Sequence, residues 1–184
     1  MGNCRIQNIV PPCGYRVEGI DLIRLLDFDD FDGFKFDGDD LYSNCLVTAV
    51  LRSGDFVEVD TPETAKYTSS LQNGIYTHTL ETFIGELSAE LGAMLHMATK
   101  RRYIVLFRAK NGRYFAFAYE AGASVSYANQ TAGGIGALVT ITTTSIYPLF
   151  EVLPQAFEHS RRWVLNSGFW DMSGMWYING IWRY

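Results

Sequence analysis

The sequence predicts a mainly β domain, a β-sandwich or barrel with one flanking α-helix and an aromatic C-terminal β-meander. Three observations carry that expectation. Apolar and polar residues alternate along much of the chain, Asn-Gly dipeptides stand between alternating runs at Asn73-Gly74 and Asn111-Gly112, and only Leu80 to Ala98 switches to a helical period. With 184 residues, 48% of them hydrophobic and 19% charged, the chain has the length of one domain able to bury a core without staples. The expected division is a β-rich core over residues 1–154, carrying an acidic loop at 27–40, and an aromatic extension over residues 155–184.

Each element follows from its local pattern. Tyr15 to Leu26, after the Pro11-Pro12 break, reads as a strand. Cys45 to Leu51 alternates at Cys45, Val47, Ala49 and Leu51, and with Phe56 to Val59 beyond Ser53-Gly54 it predicts a hairpin in which Cys45 is a small buried hydrophobe. Thr64 to Ser70 and Ile75 to Thr79 flank Asn73-Gly74 as a second hairpin. From Leu80 to Ala98 the apolar residues Leu80, Phe83, Ile84, Leu87, Leu91, Leu95 and Ala98 recur at three- and four-residue steps, with Thr79 as the expected N-cap. Lys100, Arg101 and Arg102 then stand where cations complement a helix dipole. Gly85, Ala89 and Gly92 share a small-residue face on that helix. Tyr103 to Ala109 and Arg113 to Tyr119 bracket Asn111-Gly112 as a third hairpin. Ala137 to Ser145, after the turn Gly133 to Gly136, is a strand whose Thr140, Thr142 and Thr144 present a polar face.

The final thirty residues hold all four tryptophans and a hexapeptide repeat, Trp170 to Met175 followed by Trp176 to Ile181 and closed by Trp182. Ser173-Gly174 and Asn179-Gly180 are turn dipeptides, so the repeat predicts a three-stranded meander. In that register Tyr177 faces both Trp170 and Trp182, while Asp171, Trp176 and Arg183 line the other side. The tail, from Phe157 onward and including Trp163, is expected to pack outside its own core, against another subunit.

Charge narrows the partners. The chain carries a net charge of -5, and Asp27 to Asp40 alone, with seven aspartates and one lysine, contributes -6. This balance argues against duplex DNA or anionic lipid as an unaided partner. The acidic segment fails the calcium-loop spacing around Gly33 and Gly38. It reads instead as a solvated loop that Phe28, Phe31, Phe34 and Phe36 pin to a hydrophobic neighbour, with Asp29, Asp30, Phe31 and Phe34 meeting a partner and Arg101, Arg102 or a partner's basic groove supplying matching charge.

No catalytic, cofactor-binding or metal-binding set is read in the sequence. His78, His96 and His159 have no ligand spacing and read as ordinary surface or helix histidines, and GxSxG and HExxH are absent. Cys4, Cys13 and Cys45 form neither a disulfide framework nor a zinc quartet, which predicts a reducing compartment. No apolar run reaches the roughly 18 residues that span a bilayer, and the N-terminus lacks a signal-peptide order, so the expected chain is soluble with no membrane partner.

The order of elements, with hairpins, one helix, the hairpin YIVLFRAKNGRYFAFAYE, a glycine-rich loop and the strand ALVTITTTSIYPLFEV, resembles the small virion proteins of tailed bacteriophages, the tail-tube and head-to-tail neck-ring group. The resemblance covers roughly Tyr15 to Val152. It implies a non-enzymatic structural subunit, made in the bacterial host cytoplasm and located in the virion tail or neck. Its partners would be itself, in a ring, and neighbouring virion proteins, with DNA only as passing cargo. The interface residues expected on this reading are Trp163, Trp170, Trp176, Tyr177 and Trp182, with Asp29, Asp30, Phe31 and Phe34. The alternative is a carbohydrate-binding or adhesion module using the aromatic face of the tail.

Overall fold

In the computed structural model, residues 19–38, 45–59, 65–131 and 134–158 are described in full, together with the backbone pairing of three short C-terminal strands. Strand β1 (Ile20–Asp27) passes through a 3-10 turn, Phe28–Asp30, into β2 (Phe31–Phe36). Strands β3 (Leu46–Arg52), β4 (Val57–Val59), β5 (Lys66–Gln72) and β6 (Ile75–Ile84) precede helix α1 (Ala89–Ala98). After it come β7 (Arg102–Ala109), β8 (Tyr114–Phe117), β9 (Ala123–Gln130), β10 (Gly136–Ser145), β11 (Phe150–Val152) and the short helix α2 (Pro154–Glu158). Among the described residues the fold is mainly β with one helix of more than a turn or two.

Eleven strands join in one sheet, in the order β2-β3-β11-β8-β7-β9-β10-β6-β5, with β1 beside β7 and β4 beside β1. Strand β7 is the branch point. One of its edges pairs with β1 from Tyr103 to Ala109. The other is shared between β8, from Val105 to Arg108, and β9, at Arg102 and Tyr103 alone. This two-residue joint divides the strands into two layers, β4-β1-β7-β8-β11-β3-β2 and β9-β10-β6-β5.

Because side chains alternate along a strand, β7 feeds a different core from each face. Val105 and Phe107 join Ile23, Leu25 and Phe117 of their own layer, and meet Leu80, Val125, Val139 and Ile141 of the other. Ile104 and Leu106 join a second cluster with Leu26, Phe34, Val47, Val50, Ala116, Phe150 and Phe157. The continuous apolar run Tyr103 to Phe107 is therefore the mark of a strand buried on both sides. The first layer curls round the second cluster: β2 ends the strand order, yet only three residues separate it from β1.

Two expected hairpins appear as read. Asn73-Gly74 joins β5 to β6 with Gln72 opposite Ile75 and both turn residues at positive φ, 53° and 80°. Arg108 faces Tyr114 across the Asn111-Gly112 loop.

The expected helix over 80–98 is corrected at its start. Leu80 to Ile84 belong to β6, where they pair with Ile141 to Ala137 of β10. The N-cap is Ser88, whose hydroxyl accepts from the Leu91 N–H, and not Thr79. Arg102 begins β7 and does not cap the helix. A Cβ added at Gly85 or Gly92 meets nothing within 4 Å among the described residues, so none of these brings its backbone close to the small-residue face.

The Ser53-Gly54 hairpin is also corrected: β3 pairs antiparallel with β2 and parallel with β11, while β4 pairs with β1. Cys45 precedes β3 in a left-handed conformation, half-buried, with φ of 49°. The boundary at residue 154 moves as well. Ala156 and Phe157 of α2 are 3% and 0% exposed within the second cluster, so the core runs past that boundary and Phe157 does not belong to an outward-packing tail.

Candidate assembly surface

The acidic segment is not a loop throughout. Asp27 caps the 3-10 turn by accepting from the Asp29 N–H at 3.1 Å, and its other carboxylate oxygen pairs with Arg101. The chain then forms β2, which carries a bulge: Phe31 faces Arg52 while Gly33 faces Leu51. Gly33 takes a φ of 144°, a conformation few other residues adopt. The extra residue resets the alternation, so Phe31, Phe34 and Phe36 all turn to the core side while Asp32 and Lys35 are exposed. Phe34 stacks on Tyr119 at 5.4 Å and meets Phe31 edge-on at 4.9 Å. At 8% exposure, Phe34 is spent on its own core and leaves little for a partner. Asp29 remains exposed beside this cluster, and Asp30 is half-buried, its carbonyl accepting from the Ser53 N–H.

Of the expected C-terminal interface, Trp163 lies outside the described residues, and Trp170, Trp176, Tyr177 and Trp182 are described only through backbone pairing. The three-stranded meander forms from β12 (Phe169–Trp170), β13 (Trp176–Ile178) and β14 (Ile181–Arg183). Its second turn is as read, with Ile178 opposite Ile181 and Tyr177 opposite Trp182. The first pairing is offset by one residue: Trp170 faces Trp176, and Phe169 faces Tyr177. The residue opposite Tyr177 on that strand is therefore Phe169 and not the expected Trp170.

The outer face of the β9-β10-β6-β5 layer is a polar surface that spans four strands, and only its β10 threonines were evident in the sequence. Cross-strand register assembles it. Thr68, Thr79, Thr142 and Ser124 stand in one row across four strands, and Ser70, Thr77 and Thr144 in the next. A third row, Lys66, Glu81, Thr140 and Ser126, contains an ion pair with Nζ and Oε2 at 2.7 Å. The missed signal is the period-2 spacing of Ser or Thr at 68 and 70, 77 and 79, and 124 and 126, matching that of β10.

Hydrogen bonding gives this face its character. Ser124 Oγ donates to the Thr142 carbonyl, Ser126 Oγ to that of Thr140, and Thr142 Oγ1 to that of His78, each at 3.2 Å. A hydroxyl has one hydrogen and two lone pairs, so these three side chains use their donors within the sheet and offer acceptors outward. Acceptors hydrate readily and do not grip phosphate.

Behind this layer His78 is buried, 1% exposed, in β6, contrary to the surface or helix placement expected of it. Its Nε2 lies 3.1 Å from the Tyr147 carbonyl and its Nδ1 2.6 Å from Tyr67 Oη. A carbonyl can only accept, so Nε2 carries the hydrogen, Nδ1 is the acceptor, and Tyr67 donates. Burial lowers the His78 pKa from its ordinary 6.5, against a raising contribution from the Tyr147 hydrogen bond. Burial likewise pushes the Tyr67 phenol up to about 12. A histidine held neutral in the fold, and free to protonate when unfolded, leaves stability intact above its unfolded pKa. Stability is then lost as pH falls below about 6.5. The denaturation midpoint is expected to fall between about pH 7 and pH 5, and His78→Gln is expected to flatten that dependence even while it destabilises the chain at neutral pH. An equally steep acid profile in the variant would remove His78 as the cause.

Among the described residues, no group of three or more His, Cys, Asp or Glu side chains gathers to hold a metal ion, and no helix is long and apolar enough to cross a membrane. Neither a protein-family model, a curated protein nor a solved structure matches this chain.

Proposed function

We propose that this chain is a non-enzymatic structural subunit of a tailed-bacteriophage virion. Copies of it form an oligomeric ring in the tail or neck that surrounds the DNA channel, with DNA as passing cargo. The observation that supports the reading is the outer face of β9-β10-β6-β5, a four-stranded surface of serine and threonine whose one lysine is neutralised by Glu81. Counter-ion release drives proteins onto DNA when lysines and arginines meet phosphates, and a channel that must let DNA slide needs a lining without them. A face without net charge, on which the Ser124, Ser126 and Thr142 hydroxyl hydrogens are held by the sheet's own carbonyls, meets that requirement. The acidic charge of Asp27 to Asp37 lies on the other layer, where it would oppose close approach of DNA from that side.

Electron microscopy of virion particles containing the chain tests the reading. Closed rings with a central opening, located at the tail or neck, are the expected result. A chain absent from particles, or one that turns over a substrate, would overturn the proposal.

A further inference from the structure

We infer that the free edge of β5 is self-complementary and docks a second copy of this chain, antiparallel, across a two-fold axis at Ser69. The inference goes beyond the ring reading and stands without it. Among the described residues β5 pairs with β6 alone, over seven consecutive partners from Lys66 to Gln72 without a shift in register. Edge strands are ordinarily protected from such pairing by bulges, proline, charge or shortness. Strand β2, at the opposite end of the order, has two register shifts and carries Asp32 and Lys35, and β4 is three residues long. Strand β5 has none of these protections: its pairing has no bulge, it lacks proline, and its one charge, Lys66, is paired with Glu81.

The hairpin fixes which groups the edge offers. Across a two-residue turn the flanking residues, here Gln72 and Ile75, exchange both backbone hydrogen bonds, and such pairs alternate along the ladder. Thr68 and Ser70 therefore turn their backbone groups to β6, while Tyr67, Ser69 and Leu71 turn theirs to the free edge. Two such edges running antiparallel match best when Ser69 faces Ser69 of the second copy. Tyr67 then faces Leu71, Thr68 faces Ser70, and Lys66 faces Gln72. Every outward backbone group finds a partner, and no two like charges stand opposite each other. Leu71, 55% exposed in the single chain, gains an aromatic neighbour in Tyr67 of the second copy. The contact is isologous, so it closes at two chains and joins two four-stranded layers into one of eight.

Sedimentation equilibrium of the full chain over rising concentration tests this, with circular dichroism to confirm folding. The mass is expected to rise from one chain to two. Ser69→Lys sets two ammonium groups face to face at the axis, and Ser69→Pro removes an outward N–H without touching the β6 ladder. Each is expected to move the dimerisation midpoint to at least about tenfold higher concentration. Hydrogen exchange on the unsubstituted chain is independent of how the variants fold: the Tyr67, Ser69 and Leu71 amides are expected to gain protection with concentration, while Thr68 and Ser70 stay unchanged. A chain that stays monomeric, a dimer unmoved by either folded variant, growth without limit, or no gain of protection at the odd positions overturns the inference. Rings observed without this dimer would leave the ring reading in place.

Discussion

Phe157→Ala is expected to cost about 3–5 kcal/mol of folding stability, the range for deleting a fully buried aromatic ring from a core that relaxes only in part. The side chain is 0% exposed, in a helix of five residues at the end of the described core. Its ring packs against Tyr114 of β8 at 4.6 Å between centroids and lies 4.8 Å from the Arg24 guanidinium of β1. The same guanidinium donates to the Phe157 carbonyl at 2.6 Å and pairs with Glu58 of β4. The residue thus fastens α2 to strands β1 and β8, and the ring's removal also takes away a partly buried cation–π contact worth on the order of 1 kcal/mol. Urea denaturation of wild type and variant measures the loss. A change under about 1 kcal/mol would mean that α2 is dispensable and would restore the boundary at residue 154.

How far the sequence could be read depended on whether the deciding interaction was local. The hairpins at Asn73-Gly74 and Asn111-Gly112 were legible because the turn residues themselves supply the required φ, whatever the rest of the chain does. The Ser53-Gly54 turn was not. Nothing near it says that β3 takes β2 and β11 as neighbours, because those partners lie far away in sequence. Leu80, Phe83, Ile84 and Leu87 fit a helical spacing, but Leu80 and Thr82 also alternate inward as a strand does, and a short apolar run satisfies both periods. Pairing with β10 decides in favour of the strand. In β2 the obstacle was the bulge at Gly33, which brings three phenylalanines to one side despite uneven spacing; their attachment to a hydrophobic neighbour was legible, their strand was not. The hydroxyl face needed two kinds of information at once, the period of each strand and the register among four. The β10 threonines alone gave one member of each row.

Gly136→Ala is expected to destabilise the fold by about 1–3 kcal/mol, while Gly92→Ala is expected to stabilise it by up to about 1 kcal/mol. The opposite signs follow from what an added methyl would meet. At Gly136, the first residue of β10, the new Cβ would lie 2.2 Å from the Ile84 carbonyl oxygen and 2.5 Å from Cζ of Phe83. The ring can turn aside, but the carbonyl belongs to the backbone of β6, paired with β10 at Ala137, and cannot recede without stretching that ladder. Gly136 is therefore where the two longest strands of the second layer approach too closely for any side chain. At Gly92 the added Cβ would meet no atom of the described residues within 4 Å, and the residue sits inside α1, where glycine is a poor helix former beside alanine. The pair also separates two meanings of a small residue that look alike in sequence, one enforced by contact and one without any. Denaturation midpoints of the two variants, measured side by side, check both signs. A tolerated Gly136→Ala would show that β6 and β10 can part at their ends, and a destabilising Gly92→Ala would reveal a neighbour seated on the helix.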